Sequence, residues 1–109
     1  MNSRTKGHSF ERAVANILKV LFPKAKRGLS QTRVGNEVSD VEGTPYWVEC
    51  KRHKKCNIQE AFTQAETDRD DRNPVVISKD DHGPILVTMS IDTFLILSQY
   101  YVIKDSGRC

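Results

Sequence analysis

The chain has 109 residues and a mass of 12.4 kDa, with 38% hydrophobic and 28% charged residues. That leaves room for one domain with one small core and excludes a multidomain machine. No uncharged apolar run approaches the roughly 18–20 residues of a membrane span, and the polar residues 1–6 lack the apolar centre of an export signal, so a cytoplasmic protein is expected. The net charge of +3 is unevenly spread: residues 1–55 hold 12 Lys/Arg against 5 Asp/Glu, and residues 56–109 hold 5 against 9. A half that is +7 beside one that is −4 favours a polyanion partner such as nucleic acid, because phosphate contacts release counterions. Three cysteines (Cys50, Cys56, Cys109) are an odd set and argue against a disulfide scaffold. Cys50-x2-His53-x2-Cys56 is tighter than the usual zinc spacings, and zinc is not expected there.

Phe10, Ala13, Val14, Ile17, Leu18 and Leu21 recur at helical spacing and predict a first helix buried on one side. Ser9 is its expected N-cap and Pro23 its end. Glu11 falls about 20° outside the stripe at roughly 100° per residue. It either reaches over the core toward a sheet or is a solvated first-turn carboxylate. Residues 24–37 are basic and polar, with a short strand expected over 29–34. Strands follow over 38–42 and 46–51, joined by Gly43-Thr44-Pro45. Asn57-x-x-Glu60 resembles a capping box and starts a second helix with Ile58, Ala61, Phe62 and Ala65 on its apolar face. The charged run 68–73 reads as solvated. Residues 74–78 and 85–89 predict two more strands around the turn Asp80-Asp81-His82-Gly83, and Ser90 caps a third helix through Phe94, Leu95 and Leu97. The order α-β-β-β-α-β-β-α implies an α/β domain, a mixed β-sheet flanked by helices.

With Thr44 and Pro45 at the centre of the turn, Asp40 pairs with Glu49, and facing residues have Cβ atoms about 4.5–5.5 Å apart. Lys51, two residues beyond Glu49, shares that face. Two opposed carboxylates repel unless a cation lies between them. A hard divalent ion such as Mg²⁺ prefers carboxylate oxygens and retains water that becomes acidic enough to attack a phosphodiester. Lys51 is placed to position that water or to stabilise charge on the phosphate. A one-residue slip of register would move Asp40 to the other face. Trp47 is expected in the core, facing away from Glu49.

Asp40, eight residues, then Glu49-Cys50-Lys51 resembles the D…ExK signature of the PD-(D/E)xK nuclease superfamily. Gly7-His8-Ser9-Phe10-Glu11-Arg12 is similar to the opening of the first helix of archaeal-type Holliday junction resolvases and their phage relatives. Arg33-x-Gly35 before Asp40-Val41, Trp47-Val48-Glu49-Cys50-Lys51-Arg52, and Gln64-Ala65 continue the resemblance over residues 7–97. Ser39 stands where the motif's name has Pro. The resemblance implies a restriction-endonuclease-like fold in a single domain, 1–109. It implies a metal-dependent endodeoxyribonuclease, most of all a Holliday junction resolvase, in the cytoplasm of a prokaryote or of a virus's host. It implies Glu11, Asp40, Glu49 and the carbonyl of Cys50 as ligands of Mg²⁺ or Mn²⁺, Lys51 as the catalytic lysine, and Gln64 as a group orienting Lys51 or the phosphate. The DNA backbone would be met by Arg4, Lys6, Arg12, Arg33, Arg52, Lys54 and Lys55, with four-way junctions as substrate. A homodimer is expected, because two symmetric nicks need two sites and residues 94–97 and 100–103 are apolar on several faces. The alternatives are a non-junction endonuclease of the same fold and a DNA-binding module without catalysis.

Overall fold

The computed structural model describes the backbone of residues 3–28 and 38–106 and the side chains of 7–28 and 38–105. Three helices, α1 (Ser3–Leu18), α2 (Ile58–Asp68) and α3 (Ile91–Ser106), accompany five strands. The strands are β1 (Lys26–Arg27), β2 (Val41–Glu42), β3 (Tyr46–His53), β4 (Asn73–Asp80) and β5 (Ile85–Met89), and the sheet order is β1-β2-β3-β4-β5. Among the described residues only β3 and β4 run parallel, joined by the α2 crossover; the other neighbours are antiparallel. The chain order of the described elements is α-β-β-β-α-β-β-α.

The apolar pattern of each strand explains its position. Residues 74–78 of β4 are all buried, as suits a strand covered on both faces. On one face α1 places Phe10, Val14 and Ala15 over Val41, Val48, Val75 and Ile77. On the other, α2 sets Ala61 and Ala65 against Trp47 and Val76. Alternation along β3 therefore sends Tyr46, Val48 and Cys50 toward α1, and Trp47, Glu49 and Lys51 toward α2. Trp47 is in the core as expected but shares its face with Glu49. Residues two apart on a strand cannot do otherwise. Arg72 covers the Trp47 ring at 5.3 Å and ties this layer to Glu42 and Asp70.

Several boundaries differ from expectation. The first helix begins at Ser3, so Ser9 lies inside it and caps nothing. It ends at Leu18, before Pro23. Its buried side is Phe10, Val14 and Ala15 with Leu18, while Ala13, Ile17 and Leu21 are exposed. The buried face is thus turned by roughly 60° from the apolar stripe, at 100° per residue, which carries Glu11 onto it. The strand expected over 29–34 lies outside the described residues; Lys26–Arg27 forms a short strand that pairs with β2. The strand expected over 38–42 is confined to Val41–Glu42.

Asn57 caps α2 as the sequence predicts: its Oδ1 accepts from Glu60 N at 3.1 Å, and its Nδ2 donates to Glu60 Oε2 at 3.2 Å. Ser90 does the same for α3, accepting from Thr93 N at 3.1 Å. Asn57→Ala should cost about 1 kcal/mol and lower Tm by about 4–8 °C. Thermal denaturation followed by circular dichroism measures this, and an unchanged Tm would mean the cap does not hold the helix.

Candidate active site

Val41 pairs with Val48, as the expected register requires at that position. At Asp40, however, the regular ladder has ended. Its backbone N–H donates to Val48 O at 2.8 Å, and its carbonyl accepts from Gly28 N at 2.8 Å. Its side chain does the work of the missing strand: Oδ2 accepts the N–H of Cys50 at 2.8 Å. The carboxylate is thereby held against β3, pulled inward by a backbone donor that would otherwise be unpaired.

Gly28 is required for this arrangement. A Cβ there would stand 1.9 Å from the carbonyl oxygen of Ser39, so only glycine lets the two backbones meet. No local pattern in the sequence marks Gly28 for this contact or the neighbouring Arg27 for its partner. Arg27 approaches Glu11 at 3.5 Å between Nη1 and Oε1, and these two side chains are 24% and 14% exposed. An arginine sixteen residues from its partner in a short edge strand carries no sequence signal; the pair exists because β1 runs beside α1.

Glu11 from α1, Asp40 from the end of β2 and Glu49 from β3 feel one another's charge. Burial pushes the Asp40 carboxyl up to about 6, the Cys50 N–H pulls it back, and Glu11 raises it further. Burial, then Asp40, lifts Glu49 to about 7, against Lys51, whose Nζ is 3.6 Å from Glu49 Oε2. Glu11 is raised by burial, with Arg27 opposing. Desolvation leads in all three, so each carboxylate sits where a negative charge is poorly solvated and badly compensated. The Cys50 thiol, buried near the same three groups, is pushed up and stays protonated. It is a core side chain, not a nucleophile. Cys56 is turned to the carbonyls of Lys51 and Lys79 at 3.6 Å each, so Cys50, His53 and Cys56 do not form a soft-metal group.

Among the described residues, no three His, Cys, Asp or Glu side chains converge closely enough to enclose an ion. The carboxylates are neighbours in one electrostatic group whose donors are all oxygens, the donor type that suits a hard divalent cation. Half-buried and raised in pKa, they feel one another's charge, and a cation would relieve that repulsion.

Lys51 and Gln64 line one cleft of about 300 Å³ with His53, Lys55, Asn57, Glu60 and Ala61. Gln64 donates from Nε2 to Asp68 Oδ2 at 2.5 Å, so its amide is engaged on its own helix while facing the same space as Lys51. Asp68 also acts on Glu49, raising its pKa. Of the expected DNA contacts, Arg12, Lys54 and Lys55 are exposed. Arg52 is turned aside, paired with Asp81 and bonded to the His53 carbonyl. Arg4 and Lys6 stand in α1, their side chains outside those described, and Arg33 lies outside the described residues.

Comparison with protein-family models, with curated proteins and with solved structures gives no match for this chain. The functional reading therefore rests on the residues themselves.

The raised carboxylates set a pH dependence. Their folded pKa values lie above the ordinary 3.8 and 4.5, so the folded chain binds extra protons. The stability this contributes is full below about pH 4 and is lost as pH rises through about 6 and 7. In EDTA, Tm should fall between pH 5 and 8, and Glu49→Gln should flatten that fall. A Tm that rises across the same window in the wild type would place these carboxylates in water.

Proposed function

We propose that the chain is a divalent-cation-dependent endonuclease that hydrolyses phosphodiester bonds in DNA. The observation that carries this reading is the grouping of Asp40, Glu49 and Glu11, half-buried and under-compensated, with Lys51 at 3.6 Å from Glu49. A structural domain gains nothing from three carboxylates raised by burial, and a module that only grips phosphate is hindered by them. The choice of branched DNA, four-way junctions above all, rests on the resemblance carried by residues 7–97.

Asp40, Glu49, Glu11 and the carbonyl of Cys50 would hold Mg²⁺ or Mn²⁺. A bound ion of this kind acidifies water and neutralises charge on a phosphate. The chain's own groups do the rest. Asp40 is held in place by the Cys50 N–H, so its free oxygen has a set direction. Lys51 lies beside Glu49 and presents an ammonium to the scissile phosphate, where it stabilises the charge that develops. Gln64 faces Lys51 across the cleft and positions it or the phosphate. Lys54, Lys55 and Arg12 supply backbone contacts that orient the duplex arms without reading sequence.

Cleavage should require Mg²⁺ or Mn²⁺, be weak with Ca²⁺ and vanish in EDTA. Purified protein incubated with junction, duplex and single-stranded DNA tests this, and full activity in excess EDTA would refute it. Asp40→Asn, Glu49→Gln and Lys51→Ala should each lower the cleavage rate by about 100-fold or more while leaving DNA affinity nearly unchanged. Replacing Lys54 and Lys55 together by Ala should weaken binding and reduce the salt slope by about 2. Near wild-type turnover in Lys51→Ala removes the lysine from the chemistry. DNA binding without cleavage under any cation leaves a binding module, and equal cutting of linear duplex and junction removes the preference for branched DNA.

A further inference from the structure

Between β3 and α2 the chain is the short linker Lys54-Lys55-Cys56-Asn57, and the turn that follows β4 holds it on several atoms. His53 pairs with Asp80 at the end of the parallel ladder, and its carbonyl accepts the Asp81 N–H at 3.2 Å. Asp80 Oδ1 accepts the Cys56 N–H at 2.7 Å. The Cys56 thiol points at the carbonyl oxygens of Lys51 and Lys79, 3.6 Å from each. Arg52 joins the Asp81 carboxylate to the His53 carbonyl. Asn57 is fixed by its cap on α2. Lys54 and Lys55 are thus the two residues strung between anchors, with His53 on one side and Cys56 on the other.

By charge alone the turn is misplaced. The exposed Asp80 is near enough to Lys55 for their charges to interact, and Lys55 lines the cleft that holds Lys51 and Gln64. A carboxylate beside a phosphate path repels the phosphate. The backbone contacts supply the compensation. A loose linker loses conformational freedom when its lysines settle on a phosphate backbone, and that loss is subtracted from affinity. Pinning Cys56 and His53 removes the freedom before the ligand arrives. We propose that the β4–β5 turn is a brace, with Asp80 as its positioning residue, that holds Lys54 and Lys55 ready for the DNA backbone beside Lys51. The brace presupposes that this cleft takes DNA, as in the nuclease reading, but not that it cuts it.

Fluorescence anisotropy of a labelled DNA duplex, titrated with the full chain in EDTA, tests it. On charge alone, Asp80→Ala and Asp80→Asn both bind DNA more tightly than the wild type. With the brace they part. Asp80→Asn keeps an oxygen for the Cys56 N–H and should bind at least as tightly as the wild type, whereas Asp80→Ala should bind about 5-fold or more weakly. In a chain already carrying Lys54→Ala and Lys55→Ala, Asp80→Ala should weaken binding no further, because the groups it positions are gone. A fold that had merely loosened would lose affinity there too. Hydrogen exchange at the Cys56 amide should speed up in Asp80→Ala and stay slow in Asp80→Asn. Tighter binding by Asp80→Ala, an equal loss in the background without Lys54 and Lys55, an unchanged Cys56 amide, or a wild type that does not bind duplex would each overturn the brace. The expected pattern in a chain that cuts nothing with Mg²⁺ or Mn²⁺ upholds the brace and removes the nuclease; cleavage without the pattern does the reverse.

Discussion

The hydrogen bond from the Cys50 N–H to the Asp40 carboxylate, 2.8 Å long, decides how the centre of this protein is built. Strand β2 is two residues long and stops where β3 still has donors to satisfy. An unpaired N–H at that depth would be costly, and a carboxylate accepts it better than water at a crowded edge. Asp40 is thus drawn inward by backbone bookkeeping. Gly28 is part of the same constraint, because its backbone must touch that of Ser39 for Asp40 to stand where it does.

Once Asp40 is placed, the electrostatics follow. Glu49 on β3 feels its charge, and α1 brings Glu11 over the sheet. Burial weakens the hydration of all three, and the two cations at hand, Arg27 and Lys51, each approach one carboxylate at 3.5–3.6 Å, too loosely to cancel it. Such an arrangement disfavours the charged carboxylates in the folded chain, and the rest of the fold must hold it. The double-sided cover of β3 and β4 by α1 and α2 does so. Functional sites are where strain of this kind is retained.

The molecule presents surfaces of opposite character. Exposed Arg12, Lys54 and Lys55 lie on the basic half of the chain. The surface of α3 and β5 is apolar and nearly uncharged, and it comes from a different part of the sequence.

Much of this was legible in the residues. The three helices, the strands from residue 41 onward, both side-chain caps at Asn57 and Ser90, the buried run of β4, and the pairing of Val41 with Val48 followed from periodicity and turn chemistry, because local spacing and local hydrogen bonds determine them. The apolar excess of residues 94–103 was visible for the same reason. Which face of α1 is buried was not. Apolar spacing pointed to Ala13, Ile17 and Leu21, whereas packing against the sheet selected the face bearing Ala15 and Glu11, and only the neighbouring strands could choose between them. Arg27 beside Glu11, the contact of Gly28 with Ser39, and the diversion of Arg52 to Asp81 are likewise properties of distance in space. They join residues 11 to 29 positions apart, and no local pattern in the sequence encodes such meetings.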